Sequence, residues 1–147
     1  MKKQEEDTAK KLESQLGFPL YVVSRKVISF YQPYLKKLNL TYTQYIVLMA
    51  LWENDSVPVC ELGKVLFLDN GTLTPLLKKM EMQGYITRQR SRKDERVVII
   101  SLTEKSYAIK EECRSLPARV AEEIGIDPDK FQQLHDLLYD VIASFIL

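Results

Sequence analysis

At Gly84 the chain changes its period, and this switch limits the fold more than any other feature. Before the glycine, Leu73, Leu76, Leu77 and Met80 recur at helical spacing. After it come two β-prone runs, Tyr85–Thr87 and Val97–Leu102, joined by the charged segment Arg88–Arg96. Such runs around a charged, turn-forming linker predict a β-hairpin. Gly84 stands where a left-handed C-terminal helix cap belongs, since a residue without Cβ adopts positive φ without strain. A helix stopped by glycine and followed at once by a hairpin excludes both a plain helical bundle and an all-β sandwich.

The flanking segments read as helices. Residues 10–37 carry Leu12, Leu16, Leu20, Val23, Val27, Phe30, Tyr31, Tyr34, Leu35 and Leu38 at helical spacing. Gly17 and Pro19 place a start or a kink in its first half, and Pro33 a second interruption. The next helix lies in NLTYTQYIVLMALWEND, capped by Thr41 or Thr43, with Tyr45, Leu48, Met49 and Trp52 as its buried face. A third covers 58–66, with Pro58 in its first turn, and a fourth runs from about Gly71 to Gln83. Beyond the hairpin, Thr103 and Glu104 open a helix to about Leu116. Pro117 bends or interrupts it, and the pattern resumes to Ile124. After the loop GIDP a last helix runs to about Phe145, with Phe131, Leu134, Leu137, Leu138, Val141, Ile142 and Phe145 on its apolar side.

The fold class is therefore mainly α with a small β-hairpin wing, a winged helix-turn-helix in a single domain of residues 1–147, with residues 40–102 as the winged module. In that order the fourth helix enters a major groove. Asn70, Thr72, Thr74, Lys78 and Lys79 are its duplex-facing candidates, with Leu73, Leu76, Leu77 and Met80 turned inward. Threonine can contact base edges, whereas lysine more often meets phosphate. Arg88, Arg90, Arg92 and Lys93 make the hairpin basic and suit it to phosphates or an adjacent minor groove. Asp94 and Arg96 read as a local ion pair that fixes the wing, because an outward Asp94 would repel phosphate. A charged hairpin loop alone is also what a solvated turn looks like. The helix pair, glycine stop and basic hairpin in one order are what point to DNA.

The net charge of +1 hides this asymmetry. Bases outnumber acids between Lys64 and Arg96, and acids dominate from Glu104 onward. Other classes find little support. His135 is the only histidine, so with Cys60 and Cys113 scattered there is no recognisable metal cluster and no nominable catalytic triad. No glycine-rich phosphate loop is present, and neither an enzyme nor a cofactor is expected. No run approaches a membrane span. The start MKKQEEDTAKKLE lacks the apolar core of a secretory signal, so a cytoplasmic location is expected. An interaction protein that does not bind DNA is the rival class.

The run DNGTLTPLLKKMEMQGYITRQRSRKDERVVIISLTE resembles the recognition helix and wing of MarR-family regulators, and Asp-Glu-Arg followed by hydrophobics and Leu-Thr is its most specific part. Within that family LESQLGFPLYVVSR, YQPYLKKLNLTYTQYIVLMALWE and LFLDNGTLTPLLKKME are most similar to the organic-hydroperoxide-responsive OhrR branch. The resemblance covers nearly the whole chain. It implies an intertwined homodimer, with residues 10–37 and 104–147 as the helical dimerisation region, that binds a pseudo-palindromic double-stranded DNA operator. The apolar terminal helices suit this, since a partner would cover Leu134, Leu138, Ile142 and Phe145. It also implies repression released by a signal.

That branch carries a reactive cysteine near the start of the first long helix. The matching position here is Gly17, which has no sulfur to oxidise. Tyr31 and Tyr42 match two tyrosines that hydrogen-bond the cysteine in the branch. Three routes to a signal stay open. Cys113 lies beside Glu111, Glu112 and Arg114, whose charges pull its pKa in opposite directions. Cys60 reads as a small buried hydrophobe, with thiol sensing as the alternative. A small aromatic ligand could occupy a crevice of Tyr31, Tyr42, Tyr45 and Trp52. Arg25 or Lys26 would meet its carboxylate, and Gly17 would add space near Tyr31 and Tyr42.

Overall fold

The helix of the first segment starts later than its periodicity suggests. In the computed structural model, which describes residues 11–145, a short 3-10 turn at Leu12–Ser14 precedes α1, Gly17–Lys37. Met1–Lys10, including the charged start and the first residue of the expected helix, lie outside the described residues, as do the last two residues. The start at Gly17 puts Pro19 in the first turn, where its missing N–H has no intrahelical acceptor to lose. Pro33 does not break α1. Tyr31 and Leu35 are buried on either side of it, so packing carries the helix across the absent hydrogen bond.

Thr41, not Thr43, caps α2, Tyr42–Glu53, in a reciprocal capping box with Gln44. The buried face of α2 comprises Gln44, Tyr45, Val47, Leu48 and Leu51, whereas Met49 and Trp52 are only part-buried. A two-residue strand, β1 (Val57–Pro58), then corrects the placing of Pro58 within the third helix. Pro58 is extended, at φ −61° and ψ 145°, and caps α3, Val59–Leu66. The recognition helix α4 is Asn70–Met82, and the hairpin is β2 (Ile86–Arg90) with β3 (Val98–Leu102). The sheet order is β1-β3-β2, all antiparallel, with Val57 opposite Ile100 and Ile86 opposite Leu102.

Three helices end in the same geometry. Leu40 N–H donates to Leu35 O at 3.0 Å, Leu68 N–H to Gly63 O at 3.0 Å, and Tyr85 N–H to Met80 O at 3.0 Å. The preceding residues Asn39, Phe67 and Gly84 take positive φ of 54°, 54° and 80°. This is the left-handed helix stop expected at Gly84. It is unstrained for glycine, tolerated by asparagine and costly for phenylalanine. At Gly63 a methyl group would lie 2.8 Å from Leu68 O and 3.2 Å from Leu73 Cδ1, so only glycine lets α3 sit this close to the turn into α4.

The break after the wing falls at Ile109, not at Pro117. α5 is Glu104–Ala108 and α6 is Lys110–Ile124, continuous through Pro117. Leu116 and Val120 are buried on the face that packs toward α1 and hold the helix together there. Thr103 and Ser106 hydroxyls donate to the carbonyls of Gly84 and Tyr85, which pins α5 to the end of the recognition helix. The last helix, α7, is Pro128–Ser144 with Asp127 as its cap. It buries none of its residues in the single chain. The core lies instead between α1, α2, α3, α4, α6 and the sheet, around Leu35, Leu48, Leu62, Leu77, Ile100 and Leu116. Among the described residues, no helix is long and apolar enough to cross a membrane.

Candidate nucleic-acid interface

Asp69 fixes where the recognition helix begins. Its Oδ1 accepts the Thr72 N–H at 2.8 Å and its Oδ2 the Thr72 hydroxyl at 3.3 Å. The backbone bond from Thr72, ahead of the side-chain bond, holds the Asp69 carboxyl below the usual carboxylate range. Thr72, expected to face the duplex, thus spends its hydroxyl on the cap. Leu73, Leu77 and Met80 bury one side of α4. The opposite side exposes Gly71, Pro75, Lys78, Lys79 and Met82. Asn70 and Thr74 lie to one flank, in a crevice of about 300 Å³ shared with Cys60, Arg88 and Arg96.

The wing is braced from within. Glu81 on α4 accepts the Arg88 N–H at 3.2 Å and pairs with the Arg88 guanidinium at 3.5 Å, tying β2 to the recognition helix. Arg90 donates across the hairpin to Glu95 O at 2.9 Å. At the tip Asp94 Oδ1 accepts the Arg96 backbone N–H at 3.0 Å and its Nε at 3.1 Å. The Arg96 side chain holds the Asp94 carboxyl low. Lys93 N–H donates to Ser91 Oγ at 3.2 Å, and Ser91 N–H to Val97 O at 2.8 Å. The result is a closed loop with Arg92 and Lys93 exposed on it. Among the described residues no side-chain partner holds Lys78, Lys79, Arg92 or Lys93, whereas Arg88, Arg90 and Arg96 are engaged inside the protein.

The candidate sensor residues do not converge within one chain. Gly17 is exposed, and a methyl group placed on it would meet nothing within 4 Å. It lies on the same helix as Tyr31, fourteen residues earlier, hence about 21 Å away along the axis. The expectation that Gly17 opens space beside Tyr31 and Tyr42 therefore fails inside a single subunit. Tyr31, Tyr42 and Tyr45 instead pack on one another, with ring centroids 5.1, 5.5 and 5.7 Å apart, and fill the space they were expected to line. Burial raises the pKa of all three. Arg25 is held by its own helix, with Tyr21 Oη at 3.3 Å, and Lys26 lies over the Phe30 ring at 5.5 Å. Among the described residues, Trp52 Nε1 is buried with no hydrogen-bond partner.

The thiol expected to be buried is the exposed one. Cys60 is exposed rather than a buried hydrophobe, because Leu62 and Gly63 form the inner side of α3. Cys113 is 0% exposed, and burial, ahead of the Glu112 charge, pushes its thiol up to about 11. A thiol so placed is protonated and shielded, which counts against Cys113 as a redox sensor. His135 sits on α7 between Phe131 and Tyr139, with centroids at 6.3 and 4.6 Å. Beside it an apolar cavity of about 860 Å³ runs between α1, α6 and α7, lined by Val27, Tyr31, Val120, Ile124, Phe131 and Leu138 among others. Among the described residues, no group of three or more His, Cys, Asp or Glu is placed to hold a metal ion.

Sequence reasoning missed Asp69 and Glu81. The first is marked by an acid three residues before Thr72, the usual spacing of an N-cap. The second leaves no local sign, since its partner lies across the Gly84 turn.

Residues 29–113 match the family model described as the transcriptional regulator SarA/Rot. The organic hydroperoxide resistance transcriptional regulator of Bacillus subtilis is 46% identical over 134 residues, 91% of each chain. Reduced AbfR bound to DNA, a Staphylococcus epidermidis protein, superposes with a TM-score of 0.78 at 31% identity over 100% of both chains. A MarR variant from E. coli in complex with operator DNA gives a TM-score of 0.75 at 29% identity, covering 86% of this chain and 92% of that one.

Proposed function

This chain belongs to the MarR/SarA family of winged-helix transcriptional regulators, and from that premise we propose that two copies of it bind one pseudo-palindromic operator in double-stranded DNA and repress by occluding it. Residues 40–102 form the reading module. Residues 10–37 and 104–147 form the dimer. The observation that carries this is the braced wing, which holds Arg92 and Lys93 out into solvent on the module that also exposes Lys78 and Lys79. Phosphate contacts of these cations fix the register, and the flank of α4 bearing Asn70 and Thr74 supplies base contacts. Half-sites about one helical turn apart follow from the twofold symmetry. The dimer explains α7 and the first turns of α1, where Leu16 is 68% exposed and Phe145 77% in the single chain.

The test is a fluorescence anisotropy titration of duplex DNA from upstream of the gene, against scrambled duplex at the same salt concentration. Specific binding exceeds non-specific binding by about 10³-fold or more. Equal affinity for both duplexes would leave a general polyanion binder, and no affinity for either would leave an interaction protein.

As for the signal, the reading is kinship with the OhrR branch without that branch's thiol at position 17. The thiol open to reagents is Cys60, at the crevice of Asn70, Thr74 and Arg88. A small aromatic ligand is the second reading, favoured by the apolar cavity that reaches Tyr31. Operator affinity unchanged by organic hydroperoxide but lowered by a saturable aromatic acid would support the ligand. Loss with peroxide, reversed by a thiol reductant and absent in Cys60→Ser, would replace it by the thiol.

A further inference from the structure

The C-terminal end of the recognition helix is bolted to the corner between α1 and α2 by a closed ring of amide hydrogen bonds. Thr41 N–H donates to Gln44 Oε1 at 3.0 Å, Gln44 Nε2 donates to Gln83 Oε1 at 2.9 Å, and Gln83 Nε2 donates to Asn39 O at 2.8 Å. The direction of every bond is forced. The Thr41 end offers only a donor and the Asn39 end only an acceptor. Turning either glutamine amide over would set donor against donor or acceptor against acceptor. The ring starts and ends on the same corner, two residues apart, and Gln83 is the C-cap residue of α4.

Gln44 is 1% exposed, one of two buried polar residues among the described residues. Its Oε1 completes the α2 capping box, but its Nε2 reaches out of that box to Gln83 on another helix, which a cap alone does not require. The corner is itself stiff. Asn39 is held in the left-handed region, with its N–H on Lys36 O at 3.1 Å, and the Tyr85 hydroxyl donates to Leu38 O. On the far side Lys105 Nζ donates to Gln83 O at 2.6 Å. The end of the recognition helix thus moves with α1, the element whose first turns are left for a second subunit.

We propose that Gln44 and Gln83 are positioning residues that set the half-site spacing the dimer accepts, by fixing the tilt of each recognition helix to its own α1. Gln44 is buried, and both amides act on the helix through its C-terminal end. This rests on the DNA-binding reading above, and the test separates the two. An amide at the end of a helix sets its angle, and an angular error there moves the helix start, which carries Asn70 and Thr74, relative to its twin. Loosening the ring broadens the range of spacings without changing contacts at either half-site.

The informative variant is Gln44→Met with Gln83→Met. It removes both amides with similar shape and with them the Gln44 half of the α2 capping box, while Thr41 and Asn39, whose backbone groups it frees, are exposed residues. Gln83→Asn, one methylene shorter, is the second variant should the double one not fold. The probe is a duplex selected by the wild-type dimer from a random-sequence pool, and the same duplex with one base pair added or removed at its centre. The wild type is expected to lose about 10-fold or more in affinity on each spacing change, and the variants about 3-fold or less, with unchanged affinity for scrambled duplex. A folded, dimeric variant that keeps the wild-type spacing penalty overturns the proposal and leaves the DNA reading intact. A variant weakened equally on all spacings shows a structural amide only and also overturns it. A wild type that selects no duplex removes the DNA reading and this proposal together.

Discussion

Replacing Arg92 and Lys93 together by alanine tests whether the wing meets phosphate. The two are exposed, and among the described residues no other side chain holds them. Their removal therefore breaks no internal brace, unlike loss of Arg96, which is tied to Asp94, or of Arg88, tied to Glu81. A dimer loses four charges. Each neutralised phosphate contributes about 0.9 to the slope of log K against log salt, so the slope should fall by up to about 3.6. Between about 50 and 200 mM salt, a fourfold change, the wild type then loses about 150-fold more affinity than the variant. Anisotropy titrations at four or more salt concentrations give both slopes. Thermal unfolding of the free proteins should coincide, and the loss at low salt should be the same for specific and scrambled duplexes. A slope change below about 1 would show that the wing stays off the backbone. A loss confined to one sequence would make Arg92 or Lys93 a reader of bases, contrary to the reasoning.

Four further outcomes follow from local geometry. Gly63→Ala gains about 1 kcal/mol in helix propensity but forces a methyl to 2.8 Å from Leu68 O, an overpacking cost of about 1–3 kcal/mol, so urea unfolding at fixed protein concentration should show a net loss. Phe67→Gly relieves a left-handed aromatic whose side chain is 63% exposed, and should stabilise by about 1 kcal/mol; a lower midpoint would mean that the ring packs on something this chain alone does not contain. Asp69 has a folded pKa below its unfolded one, so its contribution is present above the ordinary carboxylate pKa and is lost as pH falls through the lower, folded value; Asp69→Asn should keep the cap and flatten that acid limb, and an unchanged limb would remove Asp69 from the account. With its thiol pushed up to about 11, Cys113 should resist alkylation at pH 8 in the folded protein while Cys60 reacts, as mass spectrometry of the labelled peptides will show; fast labelling of Cys113 would mean that α6 opens readily.

The parts of this fold that were legible are those whose cause is local. Gly84, the period of Leu73, Leu77 and Met80, and the paired β-prone runs each act within a few residues, so helix, stop and wing could be read in order. β1 could not, because its two residues become a strand only by pairing with Ile99 and Ile100, more than forty residues on. Prolines misled in both directions. Pro117 marked a break that buried Leu116 and Val120 prevent, while the actual turn at Ile109 carries no breaker at all. Phe67 takes a conformation its side chain disfavours because the α3–α4 turn demands it, and no propensity reveals that. The burial of Cys113 was readable, since Cys113, Leu116 and Val120 stand at i, i+3 and i+7, but the neighbouring glutamates drew the reading toward electrostatics. Cys60 differs from its buried neighbour Leu62 by two positions, a rotation of about 200° on a helix, so a small error in facing reversed its fate.

The candidate sensor residues were the least legible part, because within one chain they do not come together. Gly17 and Tyr31 share one helix that keeps them about 21 Å apart along its axis, so within one subunit position 17 does not approach those tyrosines, and in the proposed dimer it would have to be those of the other. In the proposed dimer the exposed turns around Leu16 and Tyr21, the unburied face of α7 and the cavity bordered by Tyr31 all lie on the surface assigned to the second subunit. A ligand of that cavity and a second subunit are then thermodynamically linked. One that binds only the dimer tightens it, and one that needs the cavity empty of the partner loosens it. The sign of that linkage is visible in how ligand affinity changes with protein concentration. A ligand whose affinity is independent of concentration across the dimer dissociation range binds elsewhere on the chain, whatever it does to the operator.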